Sequence, residues 1–179
     1  MARSFDNLYI GGSWVPVGGA FDDLNPADGS VWARVADGNG GMAVRAIESA
    51  QAAFAHWSGL HYNERAHYML KVADEFERRH DDLVAALQGE GGGWFGKGMF
   101  EAGYVPEVFR AAAAMTYNAI GEVLPSDHGK ISIAMRRPMG VVTVISPWNF
   151  PTLLTARGLA FPIATGNCVV LKPSEETPY

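Results

Sequence analysis

Between Gly140 and Glu175 the chain reads GVVTVISPWNFPTLLTARGLAFPIATGNCVVLKPSE, and no other stretch limits the fold as much. Val141-Val142-Thr143-Val144-Ile145 is apolar and β-branched, the pattern of a strand buried on both faces. It breaks at Ser146-Pro147-Trp148-Asn149. Pro151 suits a first helical turn, and Leu153, Leu154, Ala156, Leu159 and Ala160 supply an apolar helix face. Gly166-Asn167 punctuates the end of that helix, and Cys168-Val169-Val170-Leu171 forms a second buried strand. Strand, helix, strand is a βαβ unit, whose crossover is expected to be right-handed. Ligands of open parallel sheets bind beyond the carboxyl ends of the strands. Those ends hold Pro147-Trp148-Asn149 and Lys172-Pro173-Ser174-Glu175.

The rest of the chain prepares for this unit. Leu8 to Val15 reads as a hairpin around Gly11-Gly12. Asn25-Pro26-Ala27-Asp28-Gly29 is turn chemistry, and Ser30 to Val35 a further strand. Asp37 to Gly41 offers a cap for a helix over Met42–Trp57, with Val44, Ile47, Ala50, Ala53 and Phe54 on one stripe. Asn63–His80 predicts a second helix, with Tyr68, Met69, Val72 and Phe76 inward and Lys71, Glu75 and Arg79 as exposed charges four apart. A short helix over Asp81–Gln88 stops at Gly89. The glycines of Gly89 to Gly93 read as a turn and not a phosphate cradle, because no Lys-Ser/Thr follows and no buried strand precedes. Lys97–Asn118 predicts a long helix whose Met99, Phe100, Val108, Phe109, Ala112 and Met115 belong to the core. Pro125–Gly129 is a loop, and Ile131, Ile133 and Met135 alternate with polar or small residues as in a half-exposed antiparallel strand. Thr177-Pro178 has the chemistry of a new helix start, and two strands alone leave both sheet edges unpaired. The chain is therefore expected to be the opening part of a longer fold.

Composition narrows the function. At 179 residues, 48% hydrophobic and 18% charged, the chain can bury a core in one domain or two small ones. A formal net charge of −5 with no dominant basic patch argues against nucleic-acid and membrane-surface partners. One cysteine excludes an internal disulfide framework and fits a reducing compartment. The N-terminus lacks the apolar run of a signal peptide, so a cytoplasmic location is expected. No metal site is expected.

A dinucleotide fold usually carries G-x-G-x-x-G at its first strand–helix turn, and none lies between Ile145 and Thr152. Glu175, after the second strand, could accept from ribose hydroxyls, with Lys172 beside it; a charged loop capping the next helix reads equally well. Asn149 alone reads as a helix cap. Cys168, inside a strand with no neighbouring His or cation, reads as a small buried hydrophobe and not a nucleophile.

Taken together, Ser146-Pro147-Trp148-Asn149-Phe150-Pro151 followed by Lys172-Pro173-Ser174-Glu175 resembles the aldehyde dehydrogenase superfamily. Tyr9-Ile10-Gly11-Gly12-Ser13-Trp14, Asn25-Pro26-Ala27-Asp28-Gly29 and Glu64-Arg65-Ala66 agree, so the resemblance spans essentially all of the chain, against the N-terminal part of a family subunit. It implies an α/β fold: helices, an oligomerisation strand, and the start of an atypical Rossmann parallel sheet, which accounts for the missing glycine fingerprint. Residues 1–125 would form an N-terminal helical region with a small β hairpin, 126–139 the oligomerisation strand, and 140–179 the first βαβ of the dinucleotide-binding sheet.

In that family a cysteine thiolate attacks the aldehyde, and a side-chain amide donates to the resulting oxyanion. Asn149 matches that asparagine, whose amide donates without carrying charge. Ile145, Ser146, Pro147 and Trp148 match the lining of the cofactor pocket. Lys172, Ser174 and Glu175 match cofactor-binding positions, Lys172 and Glu175 at the adenosine ribose. A carboxylate at 175 would repel a 2′-phosphate, which favours NAD, while Lys172 leaves NADP open. Phe150 and Arg157 fall where the family lines its substrate tunnel, and Arg157 resembles the benzaldehyde, salicylaldehyde and vanillin branch. Phe150 would then stack on an aromatic ring and Arg157 face a ring oxygen. The nucleophilic cysteine and the catalytic glutamate of the family sit in later motifs, matched by neither Cys168 nor Glu90. The resemblance thus implies an aldehyde substrate, a homo-oligomer at full length, and no aldehyde oxidation by 179 residues alone. Two other readings are a non-catalytic nucleotide-binding module and a non-functional truncated fragment.

Overall fold

A computed structural model describes residues 3–118 and 120–178. The N-terminal region holds two small sheets. In the first, β5 (Val31–Ala36) lies between β1 (Arg3–Phe5), parallel to it, and β4 (Ala20–Leu24), antiparallel. The second is the expected hairpin, β2 (Asn7–Ile10) against β3 (Ser13–Pro16). Its two-residue turn places Gly11 and Gly12 at φ 62° and 79°, which residues with a Cβ rarely adopt. Neither β1 nor β4 is legible in the sequence: β1 is three residues long, and β4 carries Asp22-Asp23.

Four helices follow. α1 (Gly40–Gly59) is capped by Asn39, whose side chain accepts from the Met42 amide. Its apolar stripe is less covered than the periodicity predicts: Val44 and Ile47 are exposed, because α1 lies mainly against β2 and the narrow pair of strands at the C-terminal end, with Trp57 near its end reaching Tyr68 and Ile163. α2 (Tyr62–Arg78) begins with a capping box, His61 with Glu64. Met69 is buried and Val72 and Phe76 half-buried, as expected, but Tyr68 points outward, tilted against Trp57 at 5.5 Å. Of the charges four apart, Glu75 pairs with Arg79 at 2.6 Å and also with Arg78 at 2.7 Å. The hydrogen bond from Arg78, with Arg79 beside it, holds the Glu75 carboxyl at about 2. Lys71 instead lies over the Tyr68 ring. α3 (His80–Gly89) and a glycine loop lead to α4 (Phe95–Met115). Val108, Phe109 and Ala112 of α4 are buried, whereas Met99, Phe100 and Met115 are exposed. Apolar residues ring this helix, so periodicity alone could not choose its inner face.

After α4 comes a hairpin, β6 (Gly121–Leu124) with β7 (Ser132–Met135), antiparallel. The alternation in β7 is correct, but its apolar set, Ile131, Ile133 and Met135, is exposed, and no described element covers it. The βαβ unit then forms as read: β8 (Val141–Ile145), α5 (Pro151–Ala164) and β9 (Cys168–Lys172), with β8 and β9 parallel and Ile145 opposite Lys172. Here the expected burial fails for both strands: in β9 Cys168, Val169 and Val170 are only half-buried and Leu171 is exposed. β8 is not buried on both faces: Val141, Val142 and Val144 are half-buried, Thr143 and Ile145 exposed. A two-stranded sheet is too narrow to bury a strand's whole surface. The start of a helix at Thr177-Pro178 is not seen; residues 175–177 form a turn, and Tyr179 lies outside the described residues.

The core sits between α2, α4 and α5 and is rich in alanine: Ala66, Ala73, Ala112, Ala113, Ala156, Ala160 and Ala164, with Met69, Val105, Val108, Phe109 and Leu153. Small side chains let helix axes approach closely, and Phe76 stacked on Phe109 at 5.5 Å fills the remaining space. α5 is held at its C-terminal end by a Schellman motif. The Gly166 amide donates to Ile163 O and the Asn167 amide to Pro162 O, with Gly166 at φ 94°. Arg65 Nε donates to Ala164 O at 3.0 Å and Trp57 Nε1 to Ile163 O at 2.9 Å, so carbonyls of the last turn have partners. Asn167 completes the joint. Its Oδ1 accepts from the Met139 and Gly140 amides, and its Nδ2 donates to Pro162 O and Thr165 Oγ1. Strand, helix and next strand are thereby fixed to one another just ahead of β8.

Candidate functional site

The carboxyl ends of β8 and β9 lie side by side, as the parallel register requires. Ser146 continues the ladder by one residue: its amide donates to Lys172 O at 3.0 Å. Its hydroxyl turns inward to Thr155, and the residue is buried. Beyond it the chain comes to the surface. Pro147, Trp148 and Asn149 are exposed, Trp148 at 63%. Phe150 is half-buried and ends the loop as the N-cap residue of α5, with Pro151 at the first helical position.

Asn149 therefore does not take the capping role open to it in the sequence, and its side chain donates to none of the described residues. The cap comes from another helix. Glu101 of α4, fully buried, accepts from the Thr152 amide at 2.8 Å and the Leu153 amide at 3.0 Å, both on Oε1. Its Oε2 accepts from Lys97 Nζ at 3.1 Å, and the same ammonium lies 4.7 Å from the centroid of the Phe150 ring. Sequence reasoning missed Lys97 and Glu101. The available signal was a Lys and a Glu four apart in the apolar first half of a helix, where a charge needs a tertiary reason.

The next residues on that face of α4 continue the pattern. Tyr104 stacks with Phe100 at 5.7 Å, and the Arg157 guanidinium lies 5.8 Å from the Tyr104 ring centroid. Residues 97, 100, 101 and 104 thus form one helical stripe facing the α5 side of the site. Phe150 and Arg157, read from the sequence as substrate-facing, each have a partner in this stripe.

At the end of β9, Lys172 Nζ donates to Glu175 Oε2 at 2.8 Å, both side chains exposed. The hydrogen bond from Lys172 holds the Glu175 carboxyl below the usual carboxylate range. Ser174 is buried, and its hydroxyl accepts from the Glu176 amide at 3.2 Å. Lys172, Ser174 and Glu175 border a broad cleft of ≈ 1250 Å³ that runs toward α1 and the β2–β3 hairpin. An ionised carboxylate beside an ammonium at the open end of a parallel strand suits a vicinal diol such as a ribose. Cys168 is half-buried within β9, and burial pushes its thiol up, away from the thiolate a nucleophile needs. No helix among the described residues is long and apolar enough to cross a membrane.

The described residues thus hold a parallel βαβ unit with an exposed asparagine at the first strand end and a Lys–Glu pair at the second, an α/β arrangement without the glycine fingerprint of ordinary dinucleotide folds. Residues 14–179 match the aldehyde dehydrogenase family, and the chain belongs to it. It is 41% identical over 177 residues to vanillin dehydrogenase of Pseudomonas fluorescens, covering 96% of this chain and 36% of that one. Its fold matches lactaldehyde dehydrogenase from Escherichia coli with a TM-score of 0.95 at 33% identity, over 99% of this chain and 38% of the other. It also matches a NAD-dependent benzaldehyde dehydrogenase from Corynebacterium glutamicum with a TM-score of 0.91 at 32% identity, over 97% and 38%. The chain spans 36% of the length of the vanillin enzyme, so the mixed helices and strands described above correspond to one part of the family fold.

Proposed function

We propose that the chain is the N-terminal portion of an NAD(P)-dependent aldehyde dehydrogenase that oxidises an aldehyde, preferably an aromatic one, to its carboxylic acid. The observation that carries the reading is Asn149: an exposed amide at the end of β8, released from capping because Glu101 does that work. Such an amide can donate to the oxyanion that forms when a nucleophile adds to a carbonyl. Lys172 and Glu175 would hold the adenosine ribose, with Ile145, Ser146, Pro147, Trp148 and Ser174 around the cofactor. A bound nicotinamide dinucleotide supplies the hydride acceptor. The ionised Glu175 favours NAD, in keeping with the NAD-dependent benzaldehyde enzyme, and Lys172 leaves NADP open. Phe150 and Arg157 would bound the aldehyde site, the vanillin and benzaldehyde enzymes supporting an aromatic substrate. The lactaldehyde enzyme matches the fold more closely than the benzaldehyde enzyme, so the aromatic preference rests on Arg157 and the names of those two relatives.

On this reading residues 1–125 and 140–179 belong to the cofactor-binding domain, and 126–139 pair subunits through the uncovered β7 face of the homo-oligomer. The intact enzyme works in the cytoplasm. Cys168 does not serve as nucleophile, and 179 residues alone turn nothing over. A second reading, a binding module or non-functional fragment, is favoured by that same lack of a thiolate, and dinucleotide affinity without turnover would single out the module. The deciding experiment is dinucleotide reduction by the full-length protein with benzaldehyde, vanillin and lactaldehyde, before and after Asn149→Ala. The expected result is a loss of roughly 10²–10³ in kcat with dinucleotide affinity unchanged. A loss of less than about tenfold refutes the oxyanion role.

A further inference from the structure

We infer that Glu101, together with Lys97, is a positioning pair that sets Asn149 for the reaction, an inference that rests on the oxyanion reading of Asn149. A fully buried carboxylate is costly unless its oxygens are occupied, and here both are. Its ligands are specific. Oε1 takes the second and third amides of α5, the pair that a Ser, Thr or Asp at the N-cap usually serves. Phe150, the actual N-cap residue, has no side-chain acceptor. The cap has been moved to another helix, 51 and 52 residues before the amides it serves.

A local cap would have secured the helix as well, yet left the loop before it able to shift with α5. A cap from α4 ties the loop to the core. Lys97 adds a second tie, bridging Oε2 to the Phe150 ring. Positions 150, 152 and 153 are all fixed to one turn of α4, directly after Asn149, while the Asn149 side chain itself bonds to none of the described residues. That is what an oxyanion donor requires: a fixed backbone and an amide whose hydrogen bond is made only to the reacting oxygen. Errors of about 1 Å at such a donor cost on the order of a hundredfold in rate.

The test is a double-mutant cycle in the full-length enzyme. Glu101→Gln keeps the shape and an acceptor but loses the charged partner of Lys97; Glu101→Ala removes the cap. The expected result is a fall in kcat of roughly tenfold for Gln and a hundredfold for Ala, with KM for the dinucleotide unchanged. In an Asn149→Ala background, Glu101→Gln should change kcat by less than about twofold, because it acts through a group already removed. Should Glu101→Ala fail to fold, Glu101→Gln carries the test alone. Amide exchange at Thr152 and Leu153 then reports directly on the cap and should quicken. Equal losses from Glu101→Gln in both backgrounds would show general loosening and overturn the inference. So would faster exchange at both amides with kcat intact. If Asn149→Ala itself leaves kcat intact, the oxyanion reading falls and takes this one with it. If Asn149→Ala is damaging and Glu101→Gln is not, only the positioning role falls.

Discussion

Gly158 lies in the middle of α5, against β8. A Cβ added there would sit 2.6 Å from Val144 Cγ1, 3.4 Å from its Cγ2 and 3.6 Å from its Cβ. Favourable carbon contacts lie at about 3.5–4.0 Å, so Gly158→Ala brings an overlap of about 1 Å. Val144 does not readily swing clear, because a β-branched side chain is held to few χ1 rotamers by its backbone. Two terms oppose. Alanine is worth up to about 1 kcal/mol over glycine in a helix interior, and overpacking costs about 1–3 kcal/mol. The clash is with a strand residue and not a flexible tip, so overpacking wins, with a net loss of about 1–2 kcal/mol. Removing both Val144 methyls should reverse the sign: in a Val144→Ala background, Gly158→Ala should stabilise by up to about 1 kcal/mol. Urea unfolding of the four proteins, followed by circular dichroism, gives each midpoint and slope, and the cycle isolates the coupling. A higher midpoint for Gly158→Ala alone, or no reversal with Val144→Ala, refutes the argument that helix and strand meet through this glycine.

Two further outcomes follow from the βαβ joint. Asn167→Ala strips the acceptor from the Met139 and Gly140 amides and should cost about 2–4 kcal/mol by urea unfolding; Asn167→Asp, which keeps that acceptor and loses only the two donated bonds, should fall between. Burial raises the Cys168 thiol, so less thiolate is present at neutral pH than for free cysteine. Alkylation of the chain by iodoacetamide, followed by mass, should be slower than that of free cysteine and its pH–rate curve displaced upward, while Cys168→Val should leave aldehyde oxidation by the full-length enzyme unchanged.

Legibility in the sequence followed the reach of each signal. The βαβ unit could be read because Val141–Ile145, Pro151 and Gly166-Asn167 each carry a local reason for their conformation, and the structure keeps all three. Gly11-Gly12 likewise determined a hairpin without help from the rest of the chain. Burial was less legible. Val44, Tyr68, Phe100 and Ile145 are apolar or aromatic and exposed, because apolarity says that a surface gains from cover and not which element covers it. The site was legible as two strand ends, Ser146–Asn149 and Lys172–Glu175, through periodicity and motif. Its third component was not. Glu101 meets Thr152 and Leu153 only once α4 and α5 have packed, and no spacing within α4 encodes that meeting beyond a Lys and a Glu four apart.

The Glu101 contact also bears on where a dinucleotide's phosphates can go. In ordinary dinucleotide folds the helix after the first strand points its positive end and bare amides at the pyrophosphate. In this chain that end is already neutralised: a carboxylate from α4 occupies the amides of Thr152 and Leu153, and Pro151 has none to offer. A diphosphate arriving there would find those amides already taken by the buried Glu101, itself paired with Lys97. On the proposed reading the βα turn would keep Asn149 and the cofactor-lining residues 145–148, and the phosphates would have to be met by a different helix.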